Sequence, residues 1–248
     1  NNHLLEILLG ILLSKLHTYH LFISGSSTGI EREQLMFEEL YPFPIVLSNE
    51  IVELTQDLLK LHKEKYSNVN DHLYDSLIEN TKTKLNELIY DLYKLNNRDK
   101  YLLNYAFNIS IPIFQQGSSP KKSFKKFPPY KNLKPKSEEL KTYVEILQNY
   151  YNRRIAQQKG EYIQTTVFCT PNVIAVNFEF IQIKPSEPII WKEEGQGYLD
   201  FLATTAFQKV SSQLFIQKDL KGIREDSFYI LKPNQYKLWH PAIAHLDI

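Results

Sequence analysis

Ile174-Ala175-Val176-Asn177-Phe178-Glu179-Phe180 is the stretch on which the fold turns. Its residues at 174, 176, 178 and 180 are apolar and alternate with Ala175, Asn177 and Glu179. A period of two marks a strand with one buried face. Around it, Tyr162–Cys169, Ile189–Trp191, Leu214–Gln217 and Phe228–Leu231 are further strand candidates, and Tyr198–Gln208 reads as a helix. Upstream of Gly160 the period is helical. Leu4, Leu5, Leu8, Leu9, Leu12, Leu13 and Leu16 predict one deeply buried helix. Ile51, Leu54, Leu58, Leu59 and Leu61 mark a second helix, and Leu85, Leu88, Ile89, Leu92 and Leu95 a third with one apolar stripe. Asn97 is placed to cap a turn through Tyr101–Phe107. Ser137 is placed to cap a helix that buries Leu140, Tyr143, Val144, Leu147 and Tyr151, with Glu138 and Glu139 suiting its dipole. The class is α+β: a helical N-terminal part, then a mixed α+β C-terminal module.

The 248 residues allow a sizeable core, and 43% hydrophobic with 23% charged residues is ordinary for a globular chain. A single cysteine, Cys169, excludes an internal disulfide and a cysteine zinc cluster. Eight glycines leave little for nucleotide-holding loops. The apolar run from Ile7 to Leu13 is far short of the roughly 20 residues of a membrane span. It also lacks the basic flank and cleavage site of a secretory signal, so the expected location is cytoplasmic. The chain opens on Asn1 with Met36 as its sole methionine, which reads as a piece of a longer protein.

A formal charge of +1 conceals a partition. Residues 1–100 carry 10 basic and 15 acidic side chains, residues 101–160 carry 11 and 3, and residues 161–248 carry 8 and 10. Such asymmetry suggests an anionic partner for the middle segment. There, Lys121, Lys122, Lys125, Lys126, Lys131, Lys134 and Lys136 are interleaved with Phe124, Phe127 and Tyr130, with no acid between them. Lysines neutralise phosphates while exposed rings stack or pack on sugars. A solvated linker has the same composition, and both readings stand. Ser24, Ser26, Ser27, Thr28 and Arg32 lie in or beside a Ser/Gly-rich turn and supply donors suited to phosphates or base edges. A tight interhelical turn is the alternative. Lys218, Lys221 and Arg224 form a basic turn between strand candidates. After it, Lys232, Asn234, Gln235 and Trp239 would make a DNA-facing edge if exposed, or a packed corner if Trp239 is buried.

Other candidate chemistry is thinner. Phe127-Pro128-Pro129-Tyr130 approaches the tetrapeptide with which adenine-N6 methyltransferases hold a flipped base, but Phe127 cannot accept the amino hydrogens. His17 and His20 have a metal-compatible spacing without a third ligand, which favours structural histidines. Cys169 sits in an apolar strand pattern and reads as a packed thiol. Glu139-Leu140-Lys141 has a nuclease-like spacing that helix-start chemistry also explains.

Several stretches together resemble a known group. Leu9-Gly10-Ile11-Leu12-Leu13-Ser14-Lys15-Leu16-His17-Thr18-Tyr19, then Gly29-Ile30-Glu31-Arg32-Glu33-Gln34 and Tyr41-Pro42-Phe43-Pro44, are similar to the C-terminal specificity region of adenine-N6 DNA methyltransferases. These are the fused enzymes of type IIG-like restriction-modification systems. Leu85–Leu95, Leu214–Leu220 and the run from Lys232 to His240 resemble later motifs of the same group. Where the group has glycine after the helical tyrosine, this chain has Lys94. The resemblance implies a parent enzyme that uses S-adenosylmethionine and flips a target adenine, with both functions in an upstream methyltransferase domain. On this basis residues 1–47 end a recognition domain, 48–114 form a helical spacer, 115–137 a basic linker and 138–248 the α+β module. The expected partners are double-stranded DNA and the upstream domain, without a membrane. A protein-interaction scaffold that docks catalytic and cleavage domains is the alternative. An apolar face exposed near Leu4–Leu13 would favour it.

Overall fold

A computed structural model of the chain describes residues 2–25, 43–67, 72–112, 132–192, 220–223 and 226–248. The chain divides into two compact units, Asn1–Pro128 and Pro129–Ile248. The first is helical and the second is a sheet with helices, so the fold is α+β.

In the first unit, α1 spans Asn2–Leu12 and α2 Lys15–Ser24. The single helix predicted over Leu4–Leu16 is therefore two. Ser14 breaks it: its hydroxyl donates to Ile11 O at 2.7 Å and accepts from His17 N at 3.2 Å, capping α2. Deep burial is also corrected. Ile7, Gly10 and Ile11 are the buried positions of α1, whereas Leu4, Leu5, Leu12 and Leu13 are exposed. Only one face of α1 meets α3 (Asn49–Ser67), and the leucines cover more than that face. α3 in turn packs on α4 (His72–Leu92). Ile7, Ile11, Ile51, Val52, Leu58, Ile78, Leu85 and Ile89 form one core, so residues on both sides of position 47 share it. α5, Asn97–Tyr105, is capped by Asn96, one residue earlier than predicted. Asn96 Oδ1 accepts from Asp99 N, and Asp99 Oδ2 accepts from Asn96 N, a reciprocal capping box.

The second unit contains β1 (Tyr162–Cys169), β2 (Val173–Ile181), β3 (Ile189–Lys192), β4 (Leu220–Ile223) and β5 (Ser227–Pro233). Their order is β3-β1-β2-β5-β4, with β3 parallel to β1 and the other pairs antiparallel. The alternation of β2 holds: Ile174, Val176 and Phe178 are buried in the main core, and Glu179 is exposed. α6 (Glu138–Tyr151) and the C-terminal α7 (Pro241–Asp247) pack together over this face through Leu140, Tyr143, Val144, Leu147 and Ala244. Phe168, Ala175, Tyr229 and Leu231 form a smaller cluster on the opposite face. The predicted elements Leu214–Gln217 and Tyr198–Gln208 lie outside the described residues.

Candidate nucleic-acid interface

Few of the predicted contact residues fall where the structure describes them. Ser26, Ser27, Thr28, Arg32, Lys121, Lys122, Lys125, Lys126, Lys131, Lys218 and Arg224 lie outside the described residues. Ser24 ends α2 and is exposed, but its hydroxyl donates to His20 O at 2.6 Å. Lys221 is not in a turn as predicted. It lies in β4, opposite Ile230, because the chain pairs with β5 there.

After β5 the structure shows the packed corner with Trp239 buried, not the DNA-facing edge. Trp239 is fully buried, its indole N–H donates to Pro233 O at 3.0 Å, and its ring packs edge-on against Tyr143. Asn234 is buried as well. Its side chain accepts from Leu133 N at 2.8 Å and donates to Leu133 O and Thr170 O. Lys232 neither reaches solvent nor snorkels: it is 3% exposed and ion-paired with Asp247. The Asp247 carboxylate also accepts from the Tyr143 hydroxyl. These polar groups look like surface chemistry in the sequence but are spent inside the module, fastening its C-terminus.

Nearby, His240 caps α7 by accepting from Ala242 N at Nδ1. Burial, opposed by Glu139, lowers its pKa to about 4, which keeps the acceptor unprotonated at neutral pH. Cys169 is buried, its thiol faces Leu133 O, and burial pushes its pKa up to about 11. A thiol so placed is a packing group, since the thiolate is the nucleophile. His17 and His20 both meet Phe43 edge-on, at 5.1 and 5.2 Å between ring centres. Burial and then the neighbouring His20 lower the pKa of His17. No third metal-ligating side chain joins them among the described residues. Glu139 and Lys141 begin α6, and Lys141 pairs with Glu145.

One basic cluster escaped the sequence reading. Beyond Tyr151 the chain opens into a π-helical segment, Asn152–Ala156, followed by a 3-10 turn, Gln157–Lys159. Arg153, Arg154 and Lys159 are exposed there, and the Arg154 guanidinium lies 6.0 Å over the ring of Tyr150. The signal was present as the only adjacent arginines in the chain, but the lysine run upstream dominated the charge. Glycine stands only at 10, 25, 160 and 222 among the described residues, none in a strand-to-helix loop. Among the described residues no single helix is long and apolar enough to cross a membrane. No protein-family model, curated protein or solved structure matches the chain.

Proposed function

We propose that this chain is the DNA-binding target-recognition region of an adenine-specific (N6) DNA methyltransferase from a restriction-modification or phage-defence system. The observation that supports it most is where the positive charge lies. Residues 121–136 carry seven lysines interleaved with Phe124, Phe127 and Tyr130, and no acid. On this reading these lysines supply sequence-independent phosphate affinity. S-adenosylmethionine binding and adenine chemistry belong, on this reading, to a separate catalytic domain.

The test is fluorescence anisotropy of the full chain with a labelled duplex across salt. The logarithm of the affinity is expected to fall linearly with the logarithm of salt concentration. Lack of binding at low salt, or binding indifferent to salt, sinks the reading. A second reading, a scaffold that docks catalytic and cleavage domains, draws on the exposed Leu4, Leu5 and Leu12 of α1 and the adjoining Leu13. It expects Leu5→Glu with Leu13→Glu to abolish association with the methyltransferase domain while DNA affinity stays unchanged.

A further inference from the structure

We infer that Arg153 and Arg154, flanked by Lys159, form a contact surface for the phosphate backbone of duplex DNA on the second unit. This rests on the DNA-binding reading above and assigns residues to it. The π-helical segment widens the turn that follows α6 and so re-aims its side chains. Ala156 is fully buried, and Asn152 accepts from Ile163 N at 3.2 Å, which ties the inner side of the segment to β1. Arg153 and Arg154 are left on the outer side, exposed, with no carboxylate among the described residues engaging either guanidinium.

Their neighbours differ. On α6 itself Lys141 is paired with Glu145, and Lys232 of β5 is paired with Asp247. The Arg154 guanidinium carbon lies 6.0 Å from the centre of the Tyr150 ring, and Lys159 Nζ lies 5.7 Å over the Phe180 ring. A cation–π contact does not use up the N–H donors of a guanidinium. Those planar donors match phosphate oxygens two at a time. A helix C-terminus favours positive charge through its dipole, which accounts for the sign of these residues. One exposed ammonium would satisfy that requirement; two adjacent exposed guanidiniums exceed it.

The experiment compares the full chain with Arg153→Ala/Arg154→Ala, using a labelled duplex of arbitrary sequence across salt. Lys141→Ala serves as a control on the same helix. The double variant is expected to weaken binding equally for all sequences and to reduce the salt slope by about one for each arginine. The control is expected to leave the slope unchanged. If the unaltered chain binds and the double variant retains its slope, the assignment falls while the DNA-binding reading stands. If the unaltered chain does not bind duplex DNA, both fall. Should the double variant melt early, phenylglyoxal modification of the unaltered chain decides. Protection of Arg153 and Arg154 by DNA supports the assignment, and equal modification with and without DNA overturns it.

Discussion

At the residue scale, Lys94 shows how a backbone requirement can override residue preference. It follows α4 with φ at +56°, in the left-handed region. Lys94 N donates to Asp91 O at 3.0 Å and Leu95 N to Tyr90 O at 2.9 Å, the two bonds of a Schellman helix end. Glycine is the residue that takes this conformation without a Cβ clash. Lys94→Gly is therefore expected to stabilise the chain by about 0.5–1 kcal/mol. The gain is net of the extra freedom that glycine gives the unfolded chain. A urea titration reads it as a raised midpoint; an unchanged or lower midpoint would show that the turn costs Lys94 nothing. The resemblance marks Lys94 as a departure from glycine, and the backbone angle shows what that departure costs. The opposite holds for Asn234 and Lys232, whose polar side chains carry no sequence mark of burial.

At the element scale, periodicity located helices better than it located their buried faces. α1 is apolar on all but the side that carries Asn2, His3 and Glu6, a stripe wider than one helix contact, so its sequence does not say which part meets α3. Gly10 decides it. A Cβ built there would lie 2.6 Å from Ile51 Cγ2 and closer still to Thr55 Oγ1, whose hydroxyl is held by donation to Ile51 O. The glycine lets the two helices approach. In an isolated helix Gly→Ala gains about 1 kcal/mol, whereas overpacking a fixed core costs about 1–3 kcal/mol. Both neighbours are buried, so the clash is expected to win. Gly10→Ala should lower the thermal midpoint, and Gly10→Leu should lower it further. An unchanged or raised midpoint for Gly10→Ala would mean that α1 shifts freely on α3. The strands were more legible. β1 matches its predicted span, and β2, β3 and β5 contain theirs, because each alternates or is β-branched and aromatic-rich. β4 was missed because Leu220-Lys221-Gly222-Ile223 has strand character only as a partner of β5. The π-helical segments at Ala106–Ser110 and Asn152–Ala156 have no periodic signature at all.

At the scale of the whole molecule, the C-terminal helix is seated by a buried charge pair. Lys232 is 3% exposed and the side chain of Asp247 7%. The ammonium also lies 5.5 Å over the Tyr143 ring and 5.6 Å over Trp239. Tyr143 and Tyr151 donate to Asp247 from α6, the former to the carboxylate and the latter to the main-chain oxygen. Removing one partner of a buried pair leaves the other charge stranded, at a cost of about 3–5 kcal/mol. Asp247→Ala is expected to destabilise by that order in chemical denaturation. Lys232→Met/Asp247→Leu should recover most of the loss, since an apolar pair of similar volume removes the desolvation penalty. A loss under about 1 kcal/mol for Asp247→Ala would show that apolar packing alone seats the helix.

The amino-acid sequence by itself determined the class, the helical half followed by the sheet, the strand faces and the buried stripe of α6. These follow from periodicity, and a period of two or 3.6 is a local property. It also determined the uneven charge that motivates the DNA-binding proposal. Only the tertiary structure decided that Trp239, Asn234 and Lys232 turn inward, that α1 offers leucines outward, and that Arg153 and Arg154 are exposed after the end of α6. The physical reason is the same in each case. Whether a polar or apolar side chain is buried depends on partners that lie far along the chain. Asp247 for Lys232, Leu133 for Asn234, and Ile51 and Thr55 for Gly10 are contacts that no local pattern can encode.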